Sequence, residues 1–408
     1  MKKVLALILC VVMVLAVTLL VSCSAREQGT AGKEPSSESS AEKKTGTEGK
    51  EETKSASDVG INIQPLVDDG SGAIQPIADS PGPNGEKPVG VDAILALISD
   101  EKAEEIKKAG YKAAISLHTT SSDWATLQIQ GIKAVLSEFN IQLLATTDAE
   151  MQVDKQVSDL ESIIAMDPDM IISFVLDAEA IGPIMQNAIS KGVKIALIDA
   201  VPSGFTSPEF YAGMGTADNY ANGASSAQAL VDYLGGKGEV AILKYVSSLF
   251  HTDARTEGAL DVFAKYPDIK IVAEQGVDGA ETAATATESI LTAHPDVKGF
   301  WTVWDAPGMG AVGVIENMGK DVKVVTVDLS EDTAYSIASG GAMLATGAQH
   351  PYDQGIAEAM IGVAALAGIE APPYVVVPGE IVTKDSLKDS WVRVFKTPLP
   401  DDMAKLLD

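Results

Sequence analysis

"KGVKIALIDA" (residues 191–200) carries an apolar run, Val193 to Ile198, that stops on a carboxylate, Asp199. The pattern returns in "VKGFWTVWD", which ends at Asp305, and in "VKVVTVD", which ends at Asp328. Runs that are apolar throughout, rather than alternating, suit strands buried on both faces. From Tyr111 onward the chain keeps this rhythm. The short runs are "AAISL" (113–117), "IQLLAT" (141–146), "MIISFV" (170–175), "VKIALI" (193–198), "EVAILKY" (239–245), "IKIVAEQ" (269–275), "VKGFWTVW" (297–304), "VKVVTV" (322–327) and "AMLATGA" (342–348). Between them lie helical patterns such as "DKQVSDLESIIAM" (154–166), "DNYANGASSAQALVDYLGG" (218–236) and "YDQGIAEAMIGVAALAG" (352–368). In the last of these Ile356, Met360 and Ala364 fall on one face, and Gly235 and Gly368 stand where helix ends want a positive φ. Strand–helix alternation predicts α/β architecture with parallel sheets covered on both faces. The runs outnumber the roughly six strands of an ordinary sheet, so two doubly wound lobes fit better than one. No repeat is strong enough to align one lobe on the other.

Open parallel sheets bind ligands beyond the carboxyl ends of their strands. An aspartate directly after a buried strand therefore sits on the rim where a site would form. Asp199 runs into the loop "AVPSGF" (200–205), and Asp328 precedes a helix that Ser330 is placed to cap, which leaves Asp328 free. Asp305, with Pro307 just behind it, reads instead as an N-cap. Trp304 lies beside Asp305 at a strand end, where alternation puts Phe300, Thr302 and Trp304 on one face and Trp301 and Val303 on the other. Trp124 follows "LHTTSSD" (117–123) and reads as an aromatic in that polar loop, and Gln349 ends the run before "HP". Ionised carboxylates accept the hydrogen bonds that hydroxyl groups donate, and indole offers a flat apolar face. That set suits a small uncharged polyhydroxylated guest. A cluster of acids beside tryptophan would alternatively draw a small cation.

The bulk numbers narrow the class further. The chain has 408 residues and a formal net charge of −27, which argues against nucleic acid as a partner. Lys2 and Lys3 precede an apolar stretch to Val21, the pattern of a secretory signal. Leu20-Val21-Ser22-Cys23 resembles the bacterial lipobox, which implies cleavage before Cys23 and lipid on it. Besides Cys10, inside the signal, Cys23 is the only cysteine, so an exported mature chain forms no internal disulfide. Residues 24–58 contain no Val, Ile, Leu, Met or aromatic side chain, too little apolar surface to offset ordering entropy. The expected tether runs to about residue 88. Roughly 65 such residues span on the order of 45 Å. "SDEKAEEIKKAG" (99–110) then reads as a short helix, capped by Ser99 or Asp100 and ended by Gly110. Enzyme motifs are missing. The four histidines, His118, His251, His294 and His350, make no close metal spacing, "GGKGEV" (235–240) lacks the phosphate-loop pattern, and no GxSxG occurs. Neither a cofactor nor a metal is called for.

The combination resembles the type I periplasmic sugar-binding proteins of the ribose-binding class, which serve ABC importers. The likeness covers about Tyr111 to Lys396. It rests on "DNYANG" (218–223), "ARTEGALDVF" (254–263), "ILTAHPDVKGFWTVWD" (290–305), "VKVVTVD" (322–328) and "GAQHPYDQG" (347–355), in that order. The resemblance implies two Rossmann-like lobes, a three-stranded hinge and closure around one ligand. It implies a signal at 1–22, a lipid-anchored tether at 23–88, a leading helix at 89–110, an N-terminal lobe at 111–216 plus 350–378, and a C-terminal lobe at 217–349 plus 379–408. Carried over by position, the ligand contacts are His118, Ser122, Trp124, Asp199, Asp253, Asp278, Trp304, Asp328 and Gln349. Ribose binders have Asp-Arg where this chain has Asp199-Ala200, an arginine near Asp253 with a second matching Arg255, and an amide at Trp304. Those departures point away from ribose, toward a small pentose or an acyclic polyol of four to six carbons. The implied partners are ABC permease subunits and, through Cys23, the membrane, with the domain outside the cytoplasm. A chemoreceptor-coupled sensor would share these lobes. A repressor of the same fold would begin with a helix-turn-helix in place of the signal and acidic tether.

Overall fold

The computed structural model describes residues 71–407. The expected signal, Cys23 and the tether up to residue 70 lie outside the described residues. Among the described residues no helix is long and apolar enough to cross a membrane.

Strand β1 (Val89–Gly90) leads into helices α1 (Val91–Leu95) and α2 (Asp100–Ala109). The alternation then runs β2 (Lys112–Leu117), α3 (Asp123–Glu138), β3 (Gln142–Asp148), α4 (Val153–Ala165), β4 (Met170–Phe174) and α5 (Ala178–Ser190). Next come β5 (Lys194–Ile198), β6 (Gly213–Ala217), α6 (Asn219–Leu234), β7 (Gly238–Tyr245), α7 (Phe250–Phe263) and β8 (Ile269–Val277). They are followed by α8 (Ala280–Ala293), β9 (Val297–Thr302), α9 (Asp305–Asn317), β10 (Lys323–Val327), α10 (Glu331–Ser339) and β11 (Met343–Ala348). The chain closes with α11 (Pro351–Leu366), β12 (Tyr374–Val377), β13 (Glu380–Val382), α12 (Leu387–Phe395) and α13 (Asp401–Ala404).

These strands form two sheets. One has the order β1-β12-β6-β5-β4-β2-β3 and is parallel throughout. The other has the order β13-β11-β10-β9-β7-β8, with only β13 antiparallel. The two orders correspond strand for strand from β3 to β12 and from β8 to β13. All nine expected runs are strands. Strand β6, "GMGTA", escaped the reading because glycine and alanine leave Met214 as its one bulky apolar side chain, although all five residues are buried. The chain crosses between sheets three times: from β6 to α6, from β11 to α11, and between β12 and β13.

Each sheet is covered on both faces. Ala113, Ile115 and Leu117 of β2 enter one core while Ala114 enters the opposite one, as period-two alternation requires. Phe300 of β9 and Trp301 likewise face separate cores. The expected alternation fails past Thr302, where the strand ends: Trp304 packs with the core of Trp301, not with that of Phe300. Ser99 caps α2 and Gly110 ends it with φ 71°, as its sequence suggested. Helices α3 and α11 cross at backbone contact. A Cβ on Gly131 would sit 2.0 Å from the Tyr352 carbonyl oxygen, so no other residue fits there. This crossing fixes the positions of Gln128 and Gln354.

The tether reading is corrected at its C-terminal end. From Ser71 the chain is a strap lying across both lobes. Ile74 is buried and bridges Glu380, and Gln75 N–H donates to the Gly379 carbonyl at 2.9 Å. Ala78 N–H donates to Asp218 Oδ2 at 2.6 Å, beside the β6–α6 crossing. Ile77 packs into the core of the first lobe, and Asn84 Nδ2 donates to the Phe205 carbonyl at 3.1 Å. Ile74 and Ile77 supply the apolar area that residues 24–58 lack. Between Pro88 and Tyr111 the expected single helix is likewise a strand and two helices, with β1 paired to β12.

Candidate functional site

A cleft of about 370 Å³ opens at the carboxyl ends of both sheets. His118, Ser122, Asp123, Trp124, Phe174 and Asp199 line it from the first lobe. Tyr245, His251, Arg255, Asp278, Trp304, Asp305 and Asp328 line it from the second, and Gln349 lies at a crossing between them. Eight of the nine expected contact positions thus border one cavity. The ninth, Asp253, does not. It is exposed, accepts a hydrogen bond from Ser248 Oγ and borders a separate surface groove. The reason is helical phase: on α7, His251, Thr252 and Arg255 face the cleft, and Asp253 points to the other side. Two further expectations fail locally. Trp124 stands in the first turn of α3, not in a loop, because Ser122 caps that helix by accepting from Ala125 N–H at 3.1 Å. Asp305 is the first residue of α9, and the capping position falls to Trp304.

Asp199 and Asp328 follow β5 and β10 directly and both adopt positive φ, 58° and 75°. Aspartate tolerates this left-handed backbone better than a branched residue would. Asp199 is 2% exposed, and Thr216 Oγ1 donates to its Oδ1 at 2.5 Å. Removal from water pushes its carboxyl up to about 6, against the pull of Thr216 and Arg255. Asp328, relieved of a capping role as its sequence suggested, is ion-paired, a contact the sequence did not indicate: Arg255 Nη1 lies 3.2 Å from its Oδ2. Ser330 does cap α10. Burial and the neighbouring Asp328 charge raise Asp305 to about 6.

The first lobe offers a wall of rings. His118 lies tilted against Phe174 with centroids 4.0 Å apart, and Trp124 meets His118 at 5.5 Å. Burial lowers His118 to about 4, so the ring is neutral at neutral pH. Burial, with Arg255 nearby, holds His251 well below its ordinary value too. From the second lobe Trp304 stands edge-on to Tyr245 at 5.3 Å. Among the described residues no group of three or more His, Cys, Asp or Glu is placed to hold a metal ion. The lobes touch across the cleft. Phe174 meets His251 at 5.6 Å, and Glu331 N–H donates to Asp123 Oδ2 at 2.9 Å.

Sequence reasoning missed Asp123, Phe174, Tyr245 and His251 as lining residues, and it matched Arg255 to an arginine of the ribose binders without counting it as a contact. Phe174 and Tyr245 are the last residues of β4 and β7, so the rule that found Asp199 at a strand end would have found them. His251 and Arg255 needed the phase of α7, which its weakly amphipathic sequence does not reveal.

The chain belongs to the family described as the periplasmic binding protein domain, which matches residues 113–370. Its relatives are binding proteins rather than enzymes. It is 28% identical over 271 residues to a xylitol-binding protein of Mycolicibacterium smegmatis, covering 65% of this chain and 75% of that one. A solute-binding protein of an ABC transporter from Actinobacillus succinogenes, solved with D-allose, superposes with a TM-score of 0.63 at 28% identity, over 68% of this chain and 99% of the other. One from Agrobacterium vitis, solved with allitol, shares the fold at 24% identity and a TM-score of 0.62, over 69% of this chain and 97% of that one.

Proposed function

We propose that this protein captures a small uncharged sugar or polyol, a pentose or a C4–C6 polyol, outside the cytoplasm and delivers it to an ABC importer. One observation carries the reading: carboxylates closing strands in two facing lobes meet aromatic faces in a single cleft. Hydroxyl groups donate to Asp199 and Asp328, Gln349 adds an amide, and the C–H face of the guest lies against Trp124 and Trp304. His118, Ser122 and Asp278 complete the rim. Both lobes contact the guest only when shut, so binding favours closure. Lipid on Cys23 would hold the domain at the membrane, within reach of permease subunits.

A thermal-shift screen over pentoses, hexoses, polyols and small cations tests the proposal. A ligand at a hundred times its dissociation constant adds roughly 2.7 kcal/mol of stability. Stabilisation by a sugar or polyol is the expected result, and stabilisation by organic cations alone would overturn it. That second arm has its own motive: five aspartates, Asp123, Asp199, Asp278, Asp305 and Asp328, line the cleft against one arginine. Uptake of the stabilising compound, lost when the gene is removed, separates import from sensing.

A further inference from the structure

Glu358, on α11 of the first lobe, is fully buried, and its two carboxyl oxygens have no hydrogen-bond donor. It packs under β6, where a Cβ on Gly215 would come within 2.5 Å of its Cγ. Its polar neighbour is the Gln128 side chain, and Asp199 also faces it. The Oε1 of Gln128 is itself buried without a donor. Buried acceptors left without a donor cost the full desolvation penalty of each.

The remaining amides resolve the conflict. Gln128 Nε2 donates to Gln354 Oε1 at 3.0 Å, Gln354 Nε2 donates to Gln349 Oε1 at 2.8 Å, and Gln349 Nε2 donates to Asp328 Oδ1. Every amide in the chain points the same way. Each has one accepting and one donating end, so turning one alone sets oxygen against oxygen. Turning all three would serve an ionised Glu358, but would aim the Gln349 oxygen at the carboxylate of Asp328. Two acids end the chain, and its amides supply an N–H to only one of them. Arg255 stands at the Asp328 end, so the charge belongs there.

We infer that Glu358 is an uncharged carboxylic acid donating to Gln128 Oε1, and that it is a positioning residue. Through Gln128, Gln354 and Gln349 it fixes the direction in which an amide meets Asp328 across the hinge. Asp328 is thereby kept an acceptor-only group in the cleft, which selects guests that donate there. This last step rests on the sugar or polyol reading; the location of the proton does not. Burial, and after it the charge of Asp199, raise the Glu358 carboxyl well above its ordinary value, against a smaller opposing pull from the Gln128 side chain.

Infrared difference spectroscopy of the ligand-free protein at pH 8, wild type against Glu358→Gln, reads the proton directly. A protonated-acid carbonyl band present in wild type and absent from Glu358→Gln is expected. No such band, or one that survives the substitution, overturns the inference. Titration with xylitol and D-allose reads the positioning role. Glu358→Leu should bind about tenfold more weakly, and Glu358→Gln, which restores a donor, should recover wild-type affinity. Equal losses in both variants would reduce Glu358 to a packing residue. Wild-type protein that binds neither compound counts against the proposed ligand class, and the infrared result still decides the proton.

Discussion

Asp199 in one lobe and Asp328 in the other are joined by an unbroken run of side-chain hydrogen bonds. Thr216 donates to Asp199, Asn219 Nδ2 donates to Thr216 Oγ1 at 2.9 Å, Arg255 Nε donates to Asn219 Oδ1 at 2.8 Å, and Arg255 Nη1 reaches Asp328. Thr216 and Asn219 flank the β6–α6 crossing, so the run passes through the hinge. The two carboxylates are therefore placed relative to each other by side chains as well as by the lobes.

Asp199→Ala is expected to weaken binding of the cognate sugar or polyol by at least about 1.5 kcal/mol, the scale of one charge-assisted hydrogen bond. Calorimetry measures it. Unchanged affinity would return Asp199 to a turn residue that shapes the backbone only.

Affinity should rise with pH. Asp199 has its folded value raised from 3.8 to about 6. Between those values the folded protein holds a proton that the unfolded chain has released. Ligand-free stability thus falls as pH rises through that window and is level above it. A guest that donates hydroxyl protons binds the ionised form better. One unit below the folded value only about a tenth is ionised, so binding at pH 5 should be up to about tenfold weaker than at pH 7.5. Asp305, also near 6, adds to the slope. Asp199→Asn should flatten most of it in titrations across that range.

Arg255→Met removes the partner of Asp328 and the donor to Asn219. Both charged side chains are largely buried, 5% and 16% exposed. Breaking such a pair from one side costs about 3 kcal/mol or more. Urea denaturation at pH 7 should show that loss, and a change under about 1 kcal/mol would mean that the pair is solvated.

Removing residues 24–70 should leave the melting temperature and binding intact, whereas removing 24–88 should lower stability by at least about 2 kcal/mol. The larger deletion strips the buried Ile74 and its neighbour Ile77 from the folded unit. Equal melting temperatures for the two chains would show that the strap contributes nothing.

The sheets were legible because strands buried on both faces must be apolar, and the strand-end aspartates were legible because such sheets bind at their rims. Strand β6 was hidden by its small residues, and the strap by its length: two isoleucines among polar neighbours look like a linker until a surface receives them. Asp253 shows the limit at the site. Sequence spacing places a residue on a helix, but which side of that helix meets the cavity depends on how the helix packs. Glu358 lay beyond reach for a related reason. Its sequence neighbours mark only a helical stretch, and its meaning comes from amides contributed by two other turns of chain.

The strap joins the folded unit beside Gly379 and Asp218, at two of the three places where the chain passes between lobes. An attachment made at the pivot swings little when either half rotates. Whatever holds the upstream end of this chain would then neither drag on the moving halves nor resist their motion, and the mouth of the cleft would stay unobstructed.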